Sequence, residues 1–232
     1  MDEEAKNSSK NLTSGHEEPS PSKKSKALLL LFVTYGVVWL DLFLPQPSIP
    51  AFSILWFAFA AAKNCARIFI VYFIMKKIGL ERGAFKLPGG KDLVDGLTVA
   101  TYAGLLALGI AGLAYVLGAS NPLLARLPMP TASLSLYFVM VISSLAIGYA
   151  EELFFRIFAP RLLEKAGLSA LVALLISALI FGLSHGSQGF FGMIVSTLLA
   201  LLFSYFRLRG KNLHALALGH AIYDFVILAA LI

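Results

Sequence analysis

Charge is scarce in this chain. Asp, Glu, Lys and Arg together make up 14% of its 232 residues, against about a quarter in an ordinary soluble domain. Cysteine occurs once, as Cys65, which excludes an internal disulfide and any cysteine-rich zinc cage; a lone thiol in an apolar stretch reads as packing. Three catalytic signatures are missing. There is no His-Glu-x-x-His in an apolar helix, the nearest approach being His16-Glu17-Glu18 in a polar tail. There is no Gly-x-Ser-x-Gly and no phosphate-binding loop. No internal repeat and no soluble second domain is apparent either.

In place of charge there is hydrocarbon: 58% of the residues are apolar. The expected fold is all-α, a polytopic transmembrane bundle of about seven to eight helices with a disordered N-terminal tail. Residues 1–26 carry almost no large apolar side chain and are expected to be disordered; Asn11-Leu12-Thr13 within them fits a glycosylation sequon only weakly. Apolar spans are read at Ala27–Leu44, Ile49–Met75, Leu93–Gly118, from Thr131 onward, at Leu168–His185, at Phe190–Phe206 and at Leu213–Ile232. Their breakers are Pro45, Pro47 and Pro50, the glycines of Lys76–Asp92 (Gly79, Gly83, Gly89 and Gly90), Asn121-Pro122 and Pro128-x-Pro130. Ala27–Leu44 resembles a secretory signal, but its leader is long and no Ala-x-Ala site follows, so it is read as an uncleaved first helix.

The formal charge of +6 is not a nucleic-acid signal, because the basic residues gather in loops of one side. That is the positive-inside pattern of a multi-pass protein with a cytoplasmic N-terminus, expected in the cell membrane. Arg126 falls on the outer side. Lys63 and Arg67 fall inside a span at an i,i+4 spacing, sharing a face. They can snorkel or serve as counter-charges to Asp41 or to a glutamate pair further on, and the sequence leaves that open.

That pair is Glu151-Glu152, at the end of the apolar run Thr131–Ala150. A charge at mid-bilayer costs about 3 kcal/mol or more, so ionisable residues there point to function. Treating the fourth and fifth spans as a hairpin turning near Leu168, and letting helix continue through Pro160, brings Glu151 and His185 to the same depth. His220 and Asp224 are i,i+4 on the last span, where Asp224 can accept from the imidazole and fix its tautomer. Adjacent glutamates point about 100° apart. Arg156 is better placed for Glu152, leaving Glu151 as the general base. A carboxylate with two imidazoles activates water directly or through a bound metal. Gly182, Gly186, Gly189 and Gly192 crowd His185 and are expected to let backbone or substrate approach. Ser184 and His185 are neighbours on a helix and face different ways, so a serine–histidine dyad is not expected.

Glu151-Glu152-x-x-x-Arg156, Phe181-x-x-x-His185 and His220-x-x-x-Asp224, in that order and in apolar spans, resemble the three-motif signature of the CPBP intramembrane proteases. These are the type II CAAX prenyl endopeptidases and their bacteriocin-processing and Abi-like relatives. The stretch Gly210–Phe225 is also similar to that family's last helix, and the resemblance covers about residues 130–232. It implies three regions: the tail 1–26, N-terminal transmembrane helices 27–126 and a catalytic transmembrane region 127–232. It implies an endopeptidase that hydrolyses a peptide bond in a membrane-associated protein or peptide, in a cavity open toward the cytoplasm. The bilayer is its other partner. Glu151 and His185 would activate the water, His220 and Asp224 would stabilise the oxyanion, and Glu152, Arg156 and Phe181 would shape the site. No cofactor is expected; zinc held by Glu151, His185 and His220 is the alternative. Prenyl-processing members often have Asn where this chain has Asp224. An ionised Asp cannot donate to an oxyanion, so Asp224 stays protonated, orients His220 or binds a metal, and a prenylated substrate does not follow. A non-catalytic scaffold or immunity-type protein with the same fold is the other functional reading.

Overall fold

The computed structural model describes residues 20–44, 48–80, 85, 87–118 and 131–230. Within them the chain forms seven helices: α1 (Pro21–Val38), α2 (Ile54–Lys77), α3 (Gly90–Val116), α4 (Leu134–Lys165), α5 (Ala170–Ser184), α6 (Gly189–Leu208) and α7 (Leu213–Ala229). The expected all-helical bundle is observed. The sequon, Pro45, Pro47, Gly83, Asn121-Pro122, Arg126 and Pro128-x-Pro130 lie outside the described residues.

Local chemistry sets where the helices begin. The hydroxyls of Ser53, Ser133 and Ser169 and the amide oxygen of Asn212 accept from the backbone N–H three residues on, at Trp56, Leu136, Val172 and Ala215. Each satisfies a donor that the first helical turn leaves unpaired. Asp92 reaches back to the N–H of Gly89 at 2.8 Å and does the same for α3.

Four helices, α2, α3, α4 and α6, are long and apolar enough to cross a membrane; α5 and α7 are shorter apolar helices. At 1.5 Å per residue the 24 residues of α2 rise about 36 Å. Two expectations need correction near the N-terminus. Helix begins at Pro21, so Pro21–Lys26 is ordered rather than tail, proline being well suited to a first helical position. The span read as Ala27–Leu44 ends its α-helix at Val38 and tightens into a short 3₁₀ turn, Leu40–Phe43. Cys65 is exposed on the outer face of α2 and does not pack in the core. It shares that face with other apolar side chains that a bilayer would cover.

The core is built around the second half of α4, where every residue from Glu151 to Pro160 is buried. Phe154, Phe155 and Phe158 pack with Trp39, Val71, Met75 and Phe181. α7 lies between α3 and α4, and Ala215, Leu216 and Ala217 are wholly buried there. Small residues make that approach possible. A Cβ on Gly148 would stand 2.6 Å from the carbonyl oxygen of Ala217, and one on Gly219 would stand 3.0 Å from that of Gly96.

The helices agree on polarity. Lys23, Lys26 and Lys165 line one groove with Ile78, Arg161 donates to the carbonyl of Leu80, and Lys211 and Asn212 bond Asp95 and Asp92 at 2.7 and 2.6 Å. The basic residues therefore collect at one end of the bundle. Among the described residues Arg156, buried in the middle of α4, and Lys63 and Arg67 of α2 stand apart; the α2 pair both meet Asp41, at 2.7 Å for Lys63. Arg67 also donates to the carbonyl of Val38 and lies over the Trp39 ring. Of the readings open from the sequence, the counter-charge to Asp41 is the one observed.

The close α4–α7 contact predicts that Gly148→Ala lowers the thermal unfolding temperature in detergent, by an amount equivalent to about 1–3 kcal/mol of overpacking. Gly104→Ala, with nothing within 4 Å of the new methyl, should be neutral or stabilising. Equal responses from the two variants would contradict the packing account.

Candidate active site

Glu151 and Glu152 close the regular α-helical part of α4, and the next six residues, Leu153–Phe158, form a π-helical turn before α-helix resumes at Ala159. The expectation of helix continuing through Pro160 holds. The wide turn comes just ahead of the proline, which lacks an N–H and would clash with a regular preceding turn. It leaves carbonyls poorly satisfied along α4, and Ser177 of α5 donates to that of Phe155 at 2.6 Å.

The two glutamates diverge as adjacent residues on a helix must. Glu152 turns inward and is fully buried. Its Oε1 accepts from Nδ1 of His220 at 3.0 Å, and its Oε2 stands 3.3 Å from Nε of Arg156. That last contact is an ion pair off hydrogen-bond alignment, since neither Nε nor Nη1 of Arg156 has a hydrogen-bond partner. The guanidinium is instead covered by rings, 5.0 Å from Phe181 and 5.9 Å from Phe203. Glu151 turns toward open space, with its Oε2 3.6 Å from Nε2 of His220.

A carboxylate only accepts, so the contact with Glu152 places a proton on Nδ1 of His220 and aims Nε2 outward. Nε2 then stands 3.6 Å from Glu151 and 3.6 Å from Oδ2 of Asp224. The second distance is too long for a hydrogen bond. The expectation that Asp224 fixes the tautomer of His220 is therefore corrected: Glu152 does so.

His185 ends α5 as its C-cap. Its Nδ1 lies 2.9 Å from the carbonyl oxygen of Phe181, which can only accept, so a neutral ring presents the lone pair of Nε2. Ser184 donates its hydroxyl to that same carbonyl at 2.7 Å and its Oγ also lies 3.4 Å from Nδ1 of His185. The two neighbours therefore meet, contrary to the expectation that they face different ways, but the Ser184 proton goes to the Phe181 carbonyl and not to the imidazole. Phe181 joins these parts, its ring centroid 4.6 Å from that of His185 and 6.3 Å from that of His220.

One cavity of about 360 Å³ collects the set: Glu151, Arg156, Phe181, His185, His220 and Asp224 all line it. Three helices, α4, α5 with its C-cap and α7, thus bring together all but one of the residues singled out by pattern. The exception, Glu152, supports the cavity from behind. Sequence reasoning missed Trp56, Gln188, Phe203 and Tyr223, which also line it. Tyr223 adjoins Asp224 and could have been found that way. Phe203 is one of 18 phenylalanines and carries no local mark. Of the two approaches expected at the glycines near His185, Gly182 serves the backbone one: a Cβ there would meet Thr197 at 1.8 Å and the Met193 carbonyl oxygen at 2.9 Å, so this glycine admits helix α6.

The cavity has a direction. Its buried lining, Arg156, Phe181 and Phe203, lies toward the basic end of the bundle. Its exposed lining, Gln188 and Ile227, lies with Trp56 and Leu228 at the other end. The sequence places the basic end in the cytoplasm and the resemblance opens the cavity to the cytoplasm; in the structure those two expectations refer to opposite ends.

As a metal centre the donor set is incomplete. Glu151 and His220 are close enough to share an ion, but among the described residues no group of three or more His, Cys, Asp or Glu side chains is arranged to hold one.

Residues 133–226 match a family model described as Type II CAAX prenyl endopeptidase Rce1-like. The matched segment contains every residue of the three motifs and supports a CAAX-type intramembrane protease fold. No curated protein and no solved structure matches the chain.

The inward and outward glutamates should behave differently on removal. Glu152→Ala strands a buried guanidinium and should cost about 3–5 kcal/mol of stability, whereas Glu151→Ala should cost under about 1 kcal/mol. Chemical unfolding in detergent checks this, and equal losses would remove the distinction between a supporting and a working carboxylate.

Proposed function

From the Rce1-like match across residues 133–226, which supports kinship with the CPBP intramembrane proteases, we propose that this chain is a glutamate-dependent intramembrane endopeptidase acting on a membrane-associated peptide or protein. The observation that carries the reading is the single cavity lined by Glu151, His185, His220 and Asp224. A scaffold has no need to gather two carboxylates and two imidazoles into one solvent-accessible space among lipid-facing helices.

In this mechanism a water molecule is held between Glu151 and Nε2 of His185. Glu151 takes its proton as the oxygen attacks the scissile carbonyl. The oxyanion that forms is met by Nε2–H of His220 in its imidazolium form, both ring nitrogens being protonated; its Nδ1–H is tied to Glu152, which answers the charge and holds the ring in orientation. Asp224 assists there only in its protonated form, as a second donor. Collapse of the tetrahedral intermediate breaks the C–N bond, and Glu151 returns the proton to the leaving amine. Arg156 compensates the charge of Glu152 and does not touch the reacting atoms. No step requires a metal.

The direction of the cavity bears on the substrate. With the basic end in the cytoplasm, the peptide reaches Glu151 from the opposite side of the membrane or laterally from the bilayer, past Trp56 and Ile227. Nothing at Asp224 favours a prenylated substrate over another lipid-associated one.

Glu151→Ala and His185→Ala should each reduce cleavage of a fluorogenic peptide in detergent by ~10²–10⁴-fold while size-exclusion and circular-dichroism profiles stay unchanged. Retained cleavage in either variant would sink the mechanism. Strong chelators should leave the parent protein active; loss of activity that zinc restores would instead assign the water to a metal.

A further inference from the structure

Arg156 lines a second cavity as well as the first. This one measures about 270 Å³ and lies further along α4 toward the basic end, bordered by Arg156, Pro160, Arg161 and Glu164 of α4, Leu174 of α5 and Arg207 of α6. Nothing in the proposed proteolysis uses it. Three guanidinium groups face one small space against a single carboxylate.

Part of that charge has a local explanation. Arg207 stands in the last turn of α6, where the carbonyl end favours a cation. Arg161 donates to the carbonyl of Leu80, and Arg207 to that of Lys211 at 3.2 Å. Arg156 is different. It is in mid-helix, only 2% exposed, and its Nε and Nη1 lack hydrogen-bond partners. Glu152 answers its charge from 3.3 Å, but off hydrogen-bond alignment, so the guanidinium keeps capacity for a further acceptor. Arg161 and Arg207 repel one another across this space, Glu164 offsets part of that, and an anion bound there would offset more.

We propose that this second cavity binds a phosphate oxyanion, held by Arg207 and Arg161 at its rim and by Arg156 at its floor. Guanidinium forks match phosphate oxygens two at a time, and lysines do not. Glu164 sets the limit on affinity, because its carboxylate repels the same ligand. The phosphate can belong to an anionic lipid headgroup, which the basic end of the bundle would meet at the membrane surface, or to free inorganic phosphate. The site is separate from the proteolytic reading and stands or falls without it.

The test uses the full-length protein in two settings, with thermal unfolding read by intrinsic tryptophan fluorescence. In neutral detergent it is titrated with inorganic phosphate against sodium chloride at matched ionic strength. In nanodiscs, phosphatidylcholine alone is compared with phosphatidylcholine plus phosphatidylglycerol. A rise in Tm with phosphate beyond that with chloride identifies the free anion as a ligand; a rise only in the phosphatidylglycerol discs identifies the headgroup. In either case Arg207→Gln should weaken the apparent affinity roughly tenfold, and Glu164→Gln should tighten it. The proposal is overturned if neither setting shows a specific rise, or if Arg207→Gln responds like the parent. Should Arg207→Gln fail to fold, Glu164→Gln decides, and an unchanged response there overturns the proposal too.

Discussion

A buried arginine needs a buried acid, and in this protein that requirement organises the rest. Arg156 is buried at the centre of the bundle, and Glu152 is the carboxylate that makes its charge tolerable. Once that pair is fixed, His220 has an acceptor for one ring nitrogen and so a defined direction for the other. Phe181 and Phe203 cover the guanidinium and at the same time wall the space into which His220 points. Glu151, next along the helix, is left facing that space by the geometry of consecutive helical residues alone. The expensive part of the arrangement is thus the part that does no chemistry, and it supplies the low-dielectric wall against which hydrogen-bond donors act most strongly.

Charge and apolar surface divide the remainder of the molecule between them. Basic residues mark one end, a belt of exposed Leu, Phe and Val covers the flanks, and the cavity opens toward the opposite end. Asp41 answers the two cations lodged within α2, so that cluster is self-contained and does not draw on the glutamates. The bundle is held by close backbone contact as much as by side-chain volume. Glycines at 96, 148 and 219 let α7 run against α3 and α4, which brings His220 within reach of Glu152.

Much of this was legible in the order of residues. Long apolar runs separated by prolines and glycines gave the bundle, and acids and imidazoles inside those runs gave the site, because such groups are rare in lipid-facing helices and have to be accounted for. The i,i+4 spacing of Glu152 and Arg156 correctly paired them. The same spacing misled at His220 and Asp224. Residues one turn apart are near each other, but the imidazole was won by Glu152 from another helix, and tertiary partners are invisible to local spacing. The start of α1 was misjudged since lysines and prolines read as tail, although proline begins a helix well. Aromatic cavity walls such as Phe203 and Trp56 could not be told from the many rings that face lipid.

The π-helical turn at Leu153–Phe158 carries a consequence for how α4 is phased. Such a turn acts as one residue inserted into an otherwise regular helix, and each residue advances the helix by about 100°. Everything before the insertion is therefore rotated by roughly that angle relative to everything after it. Glu151 and Glu152 belong to the first segment, Arg161 and Glu164 to the second. Without the extra residue the two halves of α4 could not turn Glu151 to the first cavity and Arg161 and Glu164 to the second while keeping the same neighbours. The insertion works as a gearing between the two compartments, and its removal would put them out of register without changing a single side chain in either.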